Sequence, residues 1–80
     1  MDNKDIFKKV TDVFEDILDE IEVDLTETTT AEDVEEWDSL THIQIITEIE
    51  KRFEVRFSTR DIEGLKNIGD MVALIASKKG

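Results

Sequence analysis

A serine hydroxyl lies where an acidic stretch meets an apolar helical pattern, in the segment Trp37-Asp38-Ser39-Leu40. A serine in the first turn of a helix presents its hydroxyl at the surface, close to backbone N–H groups that lack partners. An anionic group attached there would lie at the positive end of the helix dipole. Asp38 would cap the helix and leave Ser39 facing outward. The segment therefore indicates a site of covalent modification at Ser39.

Ser39 and His42 stand three residues apart, a spacing that could place a nucleophile beside a general base on one helix face. A hydrolase would also need an acid to orient the base, an oxyanion site and a pocket. The sequence supplies neither an oxyanion site nor a pocket, so we expect no catalytic residue. His42 is predicted to be a helix-surface residue beside the modified serine.

Two further kinds of site are disfavoured. The acid-rich stretch 22–37 lacks the Asp-x-Asp-x-Asp-Gly spacing of a calcium-binding loop, so we expect a solvated surface and no metal site. The chain has no cysteine, and therefore no disulfide and no thiolate of its own. Any thiol that this protein uses must come from outside the chain.

The 80 residues are enough for one domain, 1–80, with a single core. The net charge of −11 is unevenly spread, because no Lys or Arg occurs from Thr11 to Glu50. Such a surface repels nucleic acid and anionic lipid and attracts basic protein surfaces. The polar N-terminus and the lack of any run near the roughly 20 apolar residues of a membrane span predict a cytoplasmic protein, which we expect to be monomeric.

The first segment shows helical spacing and the next does not. Apolar residues recur at steps of three and four over a helix predicted near residues 3–20, capped by Asp2 or Asn3. These apolar residues are Ile6, Phe7, Val10, Val13, Phe14, Ile17, Leu18 and Ile21. The stretch 22–37 is predicted to be a long loop, with one short turn near Ala31–Glu35. The side chains expected to pin it to the core are Val23, Leu25, Val34 and Trp37.

Three more helices are predicted after the loop. Asp38 caps a second helix over 39–53, and Val55 and Phe57 follow in an extended connector. The expected core positions of the second helix are His42 or Ile45, then Ile46, Ile49 and Phe53. A short third helix begins at the capping box 58–61 and ends at Gly64. A last helix opens at Lys66 or Asn67 and frays over 77–80. Its apolar residues are Ile68, Met71, Val72, Leu74 and Ile75.

In these residues the chain resembles the acyl carrier and peptidyl carrier protein family. The matching motif is Asp38-Ser39-Leu40, followed by the helical run 45–53 with the sequence Ile-Ile-Thr-Glu-Ile-Glu-Lys-Arg-Phe. The connector 55–57, the short helix near 61–65 and the closing segment 68–71 continue the match. The resemblance implies an all-α, four-helix bundle of acyl-carrier type, with three longer helices, one short third helix and a long first loop.

The resemblance also implies a function without catalysis. A separate phosphopantetheinyl transferase would attach 4'-phosphopantetheine from coenzyme A to Ser39, with Asp38 as part of the cofactor site. The metal needed for that transfer belongs to the transferase. The thiol of the arm would hold acyl or aminoacyl groups as thioesters and present them to loading and processing enzymes, as in fatty acid biosynthesis.

The second helix carries more apolar surface than one buried stripe requires, which is typical of a docking site. The candidate partner-binding residues are Leu40, Ile43 and Thr47, with the acids Glu36, Glu48 and Glu50 nearby. For Ile43, core packing is an equal alternative. Lys51 and Arg60 stand where fatty-acid carriers commonly have acids, and Trp37 stands where they have a small residue. These differences favour a dedicated acyl or aminoacyl pathway.

One alternative belongs to a different class of protein. An unmodified acidic helical adaptor that binds a basic protein partner would show the same charge and the same helices. The two interpretations differ at Ser39, which only a carrier requires as an attachment point.

Overall fold

The computed structural model describes residues 2–18, 21 and 23–79. These residues form four helices: α1 (Asn3–Ile17), α2 (Ser39–Phe53), α3 (Thr59–Glu63) and α4 (Ile68–Lys79). Within this part of the chain there is no β-strand, only an isolated bridge between Thr30 and Asn67. The all-α fold with three longer helices, one short helix and a long first loop is confirmed.

The first helix begins as expected and ends early. The Asp2 side chain caps α1 by accepting the N–H of Lys4 at 3.2 Å. The helix ends at Ile17, because Leu18 adopts an extended backbone that turns the chain into the loop while its side chain stays buried. The expected end at residue 20 was therefore wrong, and residues 19 and 20 lie outside the described residues.

The core lies between α1 and its two neighbours, since α1 packs against both α2 and α4. In the C-terminal half of α1, Asp16 forms an ion pair with Arg52 of α2 at 2.7 Å. Arg52 also forms an ion pair with Glu48 at 3.0 Å. The fully buried large side chains come from all three long helices. They are Ile6, Val10, Val13, Phe14, Ile45, Ile49, Ile68, Met71 and Ile75.

Only part of the predicted loop anchoring is present. Val34 and Trp37 are buried and Leu25 is partly buried, as expected. Val23 is 43% exposed, so the prediction that it pins the loop was wrong. Thr29 was not predicted as a buried residue because it is polar, and yet it is buried, with its hydroxyl accepting the N–H of Thr26 at 2.8 Å. A polar side chain therefore organises the middle of the loop.

The loop is fastened to the start of α4 by backbone hydrogen bonds. The N–H of Ile68 donates to the carbonyl of Thr29 at 3.1 Å, and the N–H of Gly69 donates to the carbonyl of Glu27 at 2.8 Å. A Cβ at Gly69 would lie 2.9 Å from that same carbonyl oxygen. Only glycine allows this close approach, so Gly69 is required by the contact between loop and helix.

The short third helix and the end of α4 support each other. Ser58 and Asp61 form the predicted capping box, and α3 ends at Glu63 with Gly64 as its C-cap. Asp61 also pairs with Lys78 at 3.1 Å, and the Lys78 ammonium lies 6.0 Å from the centre of the Phe57 ring. These contacts hold the last turn of α4, which is helical through Lys79. The expected fraying from residue 77 was therefore wrong up to that point, and residue 80 lies outside the described residues.

Candidate functional site

The site is built on the first turn of α2, where Asp38 and Thr41 form a reciprocal capping box. The Asp38 carboxylate accepts the N–H groups of Leu40 and Thr41, both at 3.0 Å. In return, the Thr41 hydroxyl accepts the N–H of Asp38 at 2.8 Å and donates to the carbonyl of Glu36 at 2.8 Å. The hydrogen bond from the Thr41 N–H, with further bonds from the Thr41 side chain and Leu40, holds the pKa of Asp38 below its usual value.

Ser39 is the first residue of α2, and its side chain is exposed. Its hydroxyl makes no hydrogen bond to any residue that the structure describes. An exposed, unpartnered hydroxyl at the positive end of a helix dipole is available for esterification and favours an attached anion. The residues present at this position therefore fit a phosphate ester. The expectation of partnerless backbone donors is only partly met, because the Asp38 carboxylate already occupies two of them.

A groove of about 370 Å³ opens beside Ser39. Its walls come from the loop, the start of α2 and the segment before α4. The lining residues are Ala31, Trp37, Asp38, Ser39, His42, Leu65 and Lys66. The indole of Trp37 and the side chain of Leu65 give the groove an apolar wall next to the candidate attachment point. A flexible apolar group attached to Ser39 would have an apolar surface to pack against.

Trp37 is 4% exposed and connects the groove to the core. Its ring lies edge-on to Phe14, with centroids 4.8 Å apart, and stacks on His42 at 5.9 Å. The indole Nε1–H donates to Nδ1 of His42 at 3.0 Å. Partial burial of His42 lowers the pKa of its imidazole below 6.5, the ordinary value.

Ser39 and His42 do not form a nucleophile–base pair in the structure. The Nδ1 atom of His42 is engaged by Trp37, and no hydrogen bond joins the imidazole to the Ser39 hydroxyl. The prediction placed His42 at the helix surface or in the core, and the structure puts it between the two, partly buried against Trp37.

The predicted partner-binding residues are not equally available. Leu40 is 69% exposed and Ile43 is 62% exposed, so Ile43 is a surface residue and not part of the core. Thr47 is exposed one turn further along α2. Together, Leu40, Ile43 and Thr47 form an apolar strip.

The neighbouring acids already have contacts within the chain. Glu48 pairs with Arg52, and Glu50 accepts the backbone N–H of Phe57 at 3.0 Å. Two residues apart on a helix, Glu48 and Glu50 face nearly opposite sides. Glu36 is partly buried before the cap and also has contacts of its own. The acids therefore border the apolar strip on different sides.

Several residues of the site were not singled out from the sequence. Thr41 completes the cap, and its signal was present, since Asp38 and Thr41 have the spacing of a capping box with threonine in the place of glutamate. Ala31, Leu65 and Lys66 line the groove but are distant from Ser39 in sequence. No local pattern could have found them, because only the packing of the loop and α3 brings them together.

Among the described residues, no group of three or more His, Asp or Glu side chains is arranged to hold a metal ion. No helix in that part of the chain has the length and apolar character needed to cross a membrane.

Comparison with known proteins gives a consistent result. The family described as phosphopantetheine attachment site matches residues 8–75. The acyl carrier protein of Streptococcus pyogenes serotype M3 is 36% identical over 73 residues, which cover 91% of this chain and 95% of that protein. The acyl carrier protein of Streptococcus thermophilus is 33% identical over the same shares of both chains.

Solved structures agree with the sequence comparison. The holo acyl carrier protein of Geobacter metallireducens superposes with a TM-score of 0.84 and 31% identity, covering 92% of this chain and 85% of that one. The acyl carrier protein of Enterococcus faecalis, at 23% identity, shares the fold with a TM-score of 0.75 over 98% of this chain and 99% of its own. The chain therefore belongs to the acyl carrier protein family, whose prosthetic group is phosphopantetheine.

Proposed function

We propose that Ser39 is the residue that carries the phosphopantetheine arm, with Asp38 completing the attachment site. The observation that carries this proposal is the exposed, unpartnered Ser39 hydroxyl at the head of α2. The Asp38 carboxylate holds the first turn in place and makes no hydrogen bond to that hydroxyl. The unmodified acidic adaptor is not favoured, since an adaptor has no need of a phosphopantetheine attachment site.

The attachment reaction belongs to a separate phosphopantetheinyl transferase and its metal. The Oγ of Ser39 forms the new P–O bond, the pyrophosphate bond of coenzyme A breaks, and the adenosine bisphosphate leaves. The hydroxyl proton passes to a base of the transferase. The arm supplies a thiol with an ordinary pKa of about 8.5, which a chain without cysteine cannot supply itself. The chain presents the arm and performs no catalytic step.

The groove beside Ser39 supports partial shelter of an acyl cargo. Each buried methylene contributes about 0.8 kcal/mol, so a short chain against Trp37 and Leu65 gains a few kcal/mol. A partner enzyme must overcome that free energy when it withdraws the cargo. The groove is open on one side, which keeps withdrawal accessible.

We propose the apolar strip as the docking surface for the transferase and for the loading and processing enzymes. Exposed leucine and isoleucine side chains next to acids fit a basic partner surface with an apolar centre. Asp38, Glu36, Glu48 and Glu50 supply the acidic border. We propose a monomer in the cytoplasm, because a carrier must present this surface to several enzymes in turn.

A dedicated acyl or aminoacyl pathway is the proposed setting. Lys51 and Arg60 are exposed and make no ion pair within the described residues, so both positive charges face solvent. Trp37 fills space between Phe14 and the groove, which narrows the room beside Ser39. The intact mass of protein purified from its own host would identify the cargo.

Intact mass after incubation with coenzyme A and a broad-specificity transferase tests the attachment residue. Wild type and Ser77→Ala, an exposed serine of α4, are each expected to gain one arm, whereas Ser39→Ala gains none. Circular dichroism checks that both variants keep their helices. A wild-type protein that gains no arm, or a Ser39→Ala variant that gains one, would overturn the proposal.

A further inference from the structure

The chain has one tryptophan and one histidine, and the two are hydrogen bonded to each other. Because Nδ1 of His42 accepts the indole N–H of Trp37, it carries no proton. A neutral imidazole with an unprotonated Nδ1 carries its proton on Nε2. Trp37 therefore fixes both the ring orientation and the tautomer of His42, and it leaves Nε2–H as the donor on the other side of the ring.

The Nε2–H donor has no partner in the described part of the chain, and it is open to solvent. Nε2 makes no hydrogen bond to a described residue. Every buried side-chain nitrogen or oxygen in that part of the chain has a partner, so the unpartnered Nε2 is not buried. His42 lines the groove beside Ser39 and stands three residues after it. Side chains at this spacing are neighbours on a helix surface. His42 thus brings a fixed donor, open to solvent, to the wall of the groove that contains the attachment point.

An anion attached to Ser39 would be stabilised further by such a donor. Helix N-termini usually bind phosphate through their free N–H groups, but the N–H groups of Leu40 and Thr41 are already taken by Asp38. The Asp38 carboxylate also brings a negative charge next to the position that a phosphate would occupy. The N–H of Ser39 itself has no partner among the described residues, and the imidazole of His42 and the ammonium of Lys66 are further donors along the groove.

We propose that His42 is a cofactor-binding residue whose Nε2–H donates to a phosphodiester oxygen of the arm. This inference rests on the proposed attachment at Ser39 and adds a role for the Trp37–His42 pair. The hydrogen bond restrains the first part of the arm along the groove and offsets the repulsion from Asp38. The thiol end remains free to move, because the restraint acts only at the phosphate.

Nuclear magnetic resonance of the apo and holo proteins tests the contact directly. In the apo protein, Nε2–H exchanges rapidly with water. In the holo protein we expect slower exchange, by a factor on the order of ten, which is what a charge-assisted hydrogen bond supplies. The Trp37 indole N–H is the internal control and stays protected in both forms. Equal Nε2–H exchange in apo and holo protein would overturn the inference.

Two variants separate hydrogen bonding from packing. His42→Phe keeps a ring against Trp37 but removes both the Nε2–H donor and the acceptor of the Trp37 N–H, while His42→Gln keeps an N–H donor and a side-chain acceptor. With the arm attached, the phosphorus resonance should be narrower in His42→Phe than in wild type, and His42→Gln should restore part of the width. Identical phosphorus line widths in all three holo proteins would also contradict the proposal.

Failure of the attachment at Ser39 gives a different result. Intact mass shows whether each protein carries the arm before its spectra are recorded. If wild type gains no arm, the proposed function fails. If all three proteins carry the arm and their spectra agree, only the role of His42 fails.

Discussion

Asp38 and Thr41 are joined by two reciprocal hydrogen bonds across the first turn of α2. The N–H of Asp38 donates to the Thr41 hydroxyl at 2.8 Å, and the N–H of Thr41 donates to the Asp38 carboxylate at 3.0 Å. The candidate attachment point, Ser39, lies between them and takes no part in these bonds. The backbone at Ser39 is therefore fixed by its neighbours, while its hydroxyl is left available. This arrangement separates the stability of the helix start from the chemistry at the serine.

Thr41→Val tests this arrangement. The substitution keeps the shape of the side chain but leaves the N–H of Asp38 without its partner, which should lower the free energy of unfolding by about 1 kcal/mol. Urea denaturation measures the change. The matched control is Thr47→Val, at an exposed position of the same helix whose hydroxyl makes no hydrogen bond to a described residue. An equal effect of the two substitutions would show that the cap contributes nothing.

Gly64 and Gly69 should respond differently to replacement by alanine. At Gly69 the new Cβ would lie 2.9 Å from the carbonyl oxygen of Glu27, so we expect a loss of roughly 1–3 kcal/mol. At Gly64 the nearest atom is 3.6 Å away and φ is −83°, which alanine adopts readily. Gly64→Ala should be neutral or stabilise by up to about 1 kcal/mol. Thermal unfolding compares them, and the reverse order would contradict the structure.

Much of the fold could be predicted because helical spacing and capping residues are local signals. The buried residues of α2, the Ser58–Asp61 box and the helix order follow from such signals. The two errors at helix ends have non-local causes. Lys78 holds the last turn of α4 through Asp61 and Phe57, and the extended Leu18 ends α1 while remaining buried in the core.

The candidate site was only half predictable for the same reason. Asp38, Ser39 and the exposed strip are adjacent in sequence, so their relation could be inferred from one helix. Leu65 and Lys66 reach the groove only through tertiary packing. The Trp37–His42 hydrogen bond joins two residues that had been interpreted separately, one as a loop anchor and one as a surface residue. Spacing alone does not reveal such a pairing.

The pH dependence of Trp37 fluorescence should report on His42. Because burial lowers the pKa of His42 in the folded protein, the unfolded chain binds a proton more readily. The contribution of His42 to stability is thus fully present above pH 6.5 and is lost as pH falls through the lower, folded pKa. Protonation also removes the acceptor of the Trp37 N–H, so we expect a fluorescence change with its midpoint below 6.5.

His42→Phe provides the control for this titration, since the variant contains no histidine. Its fluorescence should show no transition between about pH 5 and about pH 7, where an ordinary histidine titrates. A wild-type midpoint above the ordinary histidine pKa, or the same transition in the variant, would contradict the placement of His42.

The apolar strip should matter for binding and little for folding. Ile43→Asp places a charge at a residue that is 62% exposed, so unfolding should change by no more than about 0.5 kcal/mol. If the transferase docks there, kcat/KM for arm transfer should fall roughly tenfold, as for a central interface residue. Ala73→Asp, at an exposed position of α4, serves as the control. Equal kcat/KM values for the two variants would place the docking surface elsewhere.

The most direct test of the central claim is to locate the arm on the modified protein. The holo protein is digested, and tandem mass spectrometry identifies every fragment that releases phosphopantetheine. The chain contains three serines, Ser39, Ser58 and Ser77, so the fragments are readily distinguished. We predict that each arm-bearing fragment contains Ser39 and that fragmentation places the arm on that residue. An arm found on any other residue would contradict the account.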